Sequence, residues 1–129
     1  MESKQTVLVI DDENGPRRAL KAILEDYFNV ATFEDGSSAI AFAKSTPEEV
    51  HAAFVDHAMP RMNGSEVCVQ LKAIDPTISL IGFSGNENAD FDCELFAFLT
   101  KKGANKEQVL KVARSAADQS MRLRQGAAQ

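Results

Sequence analysis

The chain has 129 residues, 44% of them hydrophobic, which suits one domain with a packed core. Its 14 Lys and Arg against 19 Asp and Glu leave a formal charge of -5, which excludes bulk attraction to nucleic acid or to an anionic membrane. The opening MESKQ carries no basic-then-apolar leader and no apolar run nears the ~18 residues of a membrane span, so a cytoplasmic protein is expected.

The first element, Val7 to Ile10, is a short apolar run of the kind found in parallel strands covered on both faces. It runs straight into Asp11, Asp12 and Glu13. Asn14-Gly15-Pro16 then supplies a cap and a first-turn proline for a helix whose apolar face is Leu20, Ile23, Leu24 and Tyr27. Asn29 to Phe33 is a thinner strand suited to a sheet edge. Ser37 to Ser45 reads as a helix with Ile40 and Ala43 on one side, stopped by Pro47. Ala52 to Val55 is a third strand, ending at Asp56, and Ser65 to Ile74 is a helix showing Val67, Leu71 and Ile74 before Pro76. Ile78 to Phe83 and Phe96 to Thr100 are further strands. Asn105 caps a last helix, with Val109, Val112, Ala113, Ala116 and Ala117 inward, which runs to about Leu123 before residues 126–129 fray. Phe83, Phe91, Phe96 and Phe98 are assigned mainly to the core. Cys68 and Cys93 lack a metal-ligand spacing and read as free thiols, packed or idle.

This alternation of strand and helix predicts an α/β fold in which residues 1–129 form a single domain. Right-handed crossovers would build a doubly wound, five-stranded parallel sheet of order 2-1-3-4-5. In such sheets ligands sit beyond the carboxyl ends of the strands, where the order reverses between the first and third. Asp11, Asp12 and Asp56 would converge there. Left bare they would repel one another and some of their pKa values would rise. A hard divalent cation removes the conflict, and Mg²⁺ takes oxygen ligands in octahedral geometry.

The segments VLVIDDE, FVDHAMPRMNG, GFSGN and FLTKKGA occur in that order, each at a strand end. Together they resemble the receiver domain of bacterial two-component response regulators, the CheY-like superfamily, whose fold is flavodoxin-like. The resemblance covers roughly Thr6 to Leu123. It implies a phosphorylatable signalling switch of a two-component or phosphorelay system. Asp56 would accept a phosphoryl group from a sensor histidine kinase or histidine phosphotransfer protein. Asp12, Asp56 and the backbone carbonyl of Ala58 would bind Mg²⁺ (or Mn²⁺) directly, and Asp11 would hold it through water. Lys101 would pair with Asp56 and then with its phosphate, Ser84 would be the switch hydroxyl, and Phe98 the aromatic that changes burial with it. The physics agrees, since phosphoryl transfer needs much charge stabilisation and little covalent help. His57 reads as a solvated neighbour pointing away from the pocket, and Met59 and Met62 as loop packing.

Such a protein is no enzyme beyond promoting its own phosphorylation and dephosphorylation, and it would act through a downstream protein partner, without nucleic acid or membrane. One rival is a pseudo-receiver, a binding module that works without phosphorylation. Another, a hydrolase of the haloacid dehalogenase type, needs a second Asp two residues after the nucleophile, where Ala58 stands. Two departures from the family pattern stand out. Lys102 occupies the usual place of a proline, so a trans peptide is expected after Lys101. The stretch from Ser84 to Lys101 is also short. Residues 86–94, NENADFDCE, are acidic without an apolar stripe, which predicts at most one helical turn, a mobile loop in place of the fourth crossover helix, and output either through another surface or by coupling phosphorylation to ordering of Asn86 to Glu94.

Overall fold

The computed structural model describes residues 4–127. Five parallel strands form one sheet in the order β2-β1-β3-β4-β5. In chain order the elements are β1 (Thr6–Ile10), α1 (Asn14–Leu24), β2 (Asn29–Phe33), α2 (Gly36–Ser45), β3 (Ala52–Val55), α3 (Gly64–Ile74), β4 (Ser79–Ser84), β5 (Ala97–Thr100) and α4 (Lys106–Ala127).

The period-two geometry of strands divides the apolar side chains between two layers. Val7, Val9, Ala52, Phe54, Ile81 and Phe83 pack with Leu20 and Leu24 of α1 and with Val109, Ala113, Ala116 and Ala117 of α4. Leu8, Ile10, Ala53, Val55 and Leu80 pack with Ala39 and Ile40 of α2 and with Val67, Cys68 and Leu71 of α3. β1, β3 and β4 are buried throughout, whereas β2 and β5 at the two edges are only partly covered. Register fixes the upper rim: Ile10 lies opposite Phe33 and Val55, and Gly82 lies opposite Val55 and Phe98.

Several sequence expectations need correction. α1 ends at Leu24, so Tyr27 leaves the predicted apolar face and is exposed; Phe28 is buried instead, because its N–H bonds back to the Leu24 carbonyl and turns the chain. Asn14 lies inside α1, whose N-cap is Glu13, and its side chain accepts from Arg17 rather than capping. Phe96 precedes β5 and is 41% exposed rather than core. α4 runs past Leu123 to Ala127, so Gly126 does not fray; Ala128 and Gln129 lie outside the described residues.

Residues 85–96, joining β4 to β5, contain no helix. The segment is nevertheless not a free acidic loop, because Phe91, Cys93 and Leu95 pack on the α3 side of the core. Phe91, Phe98 and Leu95 close over Gly82 of β4, where an added Cβ would come within 2.9 to 3.0 Å of all three. Three side chains thus cover the strand in place of a helix. Among the described residues no helix is long and apolar enough to cross a membrane.

Candidate functional site

Strand ladders continue one residue past the strands and fix the directions of the residues at the carboxyl rim. Asp11 N donates to Phe33 O at 3.0 Å, Asp56 N to Ile10 O at 2.9 Å, and Lys101 N to Ser84 O at 2.8 Å. Carboxylate oxygens of Asp11, Asp12 and Asp56 consequently lie within 4.8 Å of one another. Asp12 is exposed, but Asp11 and Asp56 are only 1% and 4% exposed, so water screens their repulsion poorly.

Lys101 is the cation that enters this cluster. Its Nζ lies 2.9 Å from Asp11 Oδ2, 2.9 Å from Glu13 Oε1 and 3.5 Å from Asp56 Oδ1. One ammonium does not balance these acids. Asp11 Oδ2, although beside Nζ, makes no aligned hydrogen bond and is buried, while Asp11 Oδ1 is taken by Glu13 N at 2.9 Å. Burial, the charge of Asp11 and a contact with Asp12 push the Asp56 carboxyl up to about 7 despite Lys101. Burial alone would lower the Lys101 ammonium, but its close contacts with Asp11 and Glu13 and the charges of Asp11 and Asp56 prevail and raise it to about 12. Three crowded acids, with a buried Asp11 oxygen neutralised only by the shared Lys101, are a donor set that fits a hard divalent cation.

Ser84, the last residue of β4, is buried, and its Oγ accepts from Asn86 N at 3.1 Å. Ala58 lies exposed in the loop after Asp56. Phe98 is half-buried on β5 and meets the Phe91 ring edge to face, with centroids 6.0 Å apart. The loop from His57 to Asn63 is shaped by Arg61, whose φ of 70° is left-handed, and by a capping box in which Asn63 Oδ1 accepts from Glu66 N at 3.0 Å. Met59 is buried and Met62 partly so, as loop packing requires. No cis peptide occurs among the described residues, so the bond after Lys101 is trans.

The family model of the response regulator receiver domain matches residues 7–114. The chain belongs to this family. The transcriptional regulatory protein ResD of Bacillus subtilis is 32% identical over 111 residues, 82% of this chain and 45% of ResD. Histidine kinase 2 of Arabidopsis thaliana is 30% identical over 92 residues, 70% of this chain and 8% of the kinase. The chain therefore spans less than half the length of either relative. A CheY-like receiver domain protein from Methanospirillum hungatei shares the fold, with a TM-score of 0.83 at 20% identity, covering 93% of this chain and 98% of that one.

This receiver also has neighbours of the pocket that sequence reasoning missed. His57 is no idle solvated residue: its Nε2 lies 2.8 Å from the Asp90 carbonyl, and its ring meets Phe91 edge to face at 5.0 Å. The residue beside Asp56 thus grips the β4–β5 loop. Arg17 Nη1 donates to the Asp11 carbonyl at 2.7 Å, and Glu13 shares Lys101. No motif marks either residue; Glu13 was visible only as the third acid after β1.

Proposed function

We propose that this receiver is a phosphorylatable switch in a two-component or phosphorelay pathway, with Asp56 as the phosphoacceptor and a sensor histidine kinase or histidine phosphotransfer protein as donor. The observation that supports it best is the meeting of Asp11, Asp12 and Asp56 oxygens within 4.8 Å, with Lys101 Nζ 3.5 Å from Asp56 Oδ1. An Asp56 carboxylate oxygen attacks phosphorus, the bond from phosphorus to the donor's imidazole nitrogen breaks, and the imidazole leaves. Asp12, Asp56 and the Ala58 carbonyl would hold Mg²⁺ or Mn²⁺ directly, with Asp11 acting through water. The cation, when bound, neutralises acid charge and stabilises charge developing on the phosphoryl oxygens.

The chain's own residues do the rest. Lys101 is already desolvated and next to Asp56, and its flexible stem lets the ammonium follow the new phosphoryl oxygens. Ser84 Oγ, now an acceptor for Asn86 N, would turn to donate to the phosphoryl group. That shift pulls on the β4–β5 loop and reaches Phe98 through Phe91. A downstream protein partner reads the altered surface.

Incubation of the reduced chain with acetyl phosphate and Mg²⁺, followed by intact-mass measurement, tests the assignment. Wild type should gain one acid-labile phosphoryl group, suppressed by chelator and absent in Asp56→Asn. Equal labelling of the variant would remove Asp56 from this role, and no labelling of wild type would leave a module that works without phosphorylation.

A further inference from the structure

Two thiols meet where the fourth crossover lacks its helix. Cys68 is fully buried on α3, one turn after Ser65. Cys93 is half-buried in the β4–β5 loop and packs on the same apolar cluster. Asp92 N donates to Ser65 Oγ at 2.9 Å, which lays the loop along this face of α3. Positions i and i+3 share a helix face, so Ser65 and Cys68 both lie on the side of α3 along which the loop carrying Cys93 runs. Each thiol is near enough to the other to perturb its ionisation. Phe91 and Leu95, both packed on the core, anchor the loop on either side of Cys93.

We propose that Cys68 and Cys93 are a redox-responsive pair that a peroxide closes into a disulfide, stapling the β4–β5 loop to α3. Cys93, the more accessible thiol, reacts first. Its sulfur attacks one peroxide oxygen, the O–O bond breaks, and the other oxygen leaves as hydroxide, which takes the thiol proton to become water. The Cys68 sulfur then attacks the Cys93 sulfenic acid: the S–S bond forms, the S–O bond breaks, and the oxygen departs with the Cys68 proton as a second water. Two thiols and one peroxide give one disulfide and two waters.

The difference in accessibility supports this order, because Cys93 is half-buried and Cys68 fully buried. Burial raises both thiols above the ordinary range; on Cys93 the neighbouring Cys68 thiol opposes that rise, the charge of Asp92 adds to it and the charge of Lys72 opposes it. A disulfide has a narrow directional demand, which the loop tied to α3 through Ser65 can meet by a small shift of Cys93. The staple would fix the segment that begins just after Ser84. Closure itself does not depend on phosphorylation.

Treatment of the reduced full chain with hydrogen peroxide, followed by alkylation, intact-mass measurement and peptide mapping, tests the pair. The expected product is a monomer lighter by two hydrogens, resistant to alkylation, containing a Cys68–Cys93 linked peptide that dithiothreitol releases. Amide exchange across residues 86–95 should slow by about tenfold or more on oxidation. Cys93→Ser should show neither change, and it leaves the buried Cys68 in place, so folding is not at stake. An oxygen added to Cys93 without linkage to Cys68, or a disulfide-linked dimer through Cys93, would overturn the proposal.

Discussion

Asp56 is held in a conflict that metal-free protein cannot resolve. Its carboxyl rises in the fold from 3.8 to about 7, chiefly through burial and then through Asp11, so between those values the folded chain binds more protons than the unfolded chain. The ionised form therefore weakens the fold as pH rises. A carboxamide cannot ionise, so Asp56→Asn should be more stable than metal-free wild type above pH about 7, with the advantage shrinking toward pH about 4. Urea unfolding of both proteins in chelator at pH 5 and pH 8 measures this, and an advantage independent of pH would contradict it. Mg²⁺ added at pH 8 should shrink the same advantage, because a ligand of the folded wild type raises its stability by mass action.

At the scale of elements, the site depends on how closely α3 and the β4–β5 loop approach the end of β3. A Cβ at Gly64 would meet the Asp56 carbonyl oxygen, His57 Cα at 2.9 Å and Phe91 Cε1 at 2.8 Å. Two of these are backbone atoms and cannot swing away. Gly64→Ala should cost about 1–3 kcal/mol in chemical denaturation and slow labelling of Asp56, since relief displaces the strand end. Phe91 does the covering that a crossover helix would otherwise do. Phe91→Ala should lower stability by about 1–3 kcal/mol, less than for a fully buried ring, and speed amide exchange across residues 86–95. Unchanged exchange there would mean that His57 and Ser65 hold the loop unaided.

Across the whole molecule the two rims of the sheet divide the work. The carboxyl rim gathers the acids, and the amino rim ties the layers together. Arg124 near the end of α4 donates to the Val50 carbonyl at 2.5 Å and to Asp75 Oδ2 at 2.8 Å, joining α4 to the start of β3 and the C-cap of α3. Burial would raise the Asp75 carboxyl, but bonds from Thr77 and the charge of Arg124 prevail and hold it below the ordinary carboxylate value. His51 at the same rim accepts from Thr6 N through Nδ1 at 3.0 Å. Arg124→Ala should cost about 1–3 kcal/mol by leaving the Val50 carbonyl and the half-buried Asp75 carboxylate without this donor, while labelling of Asp56 stays at the wild-type rate. A parallel loss of labelling would show that the two rims are coupled.

By itself the sequence determined the alternation of elements, the strand order and the placing of Asp11, Asp12, Asp56, Ser84 and Lys101 at strand ends, because each rests on local periodicity and on short motifs beside apolar runs. It also disclosed that the fourth crossover is too short and too polar for a helix. Tertiary structure alone decided what replaces that helix. Phe91 looks like any core aromatic in NENADFDCE, and only contact with His57, Gly64 and Phe98 makes it the cover of β4. Tyr27 fits a helical stripe by spacing, yet the turn after Leu24 hands its buried place to Phe28. Cys68 and Cys93 carry no motif, and they become neighbours only because the loop crosses the face of α3, a long-range contact that periodicity cannot encode.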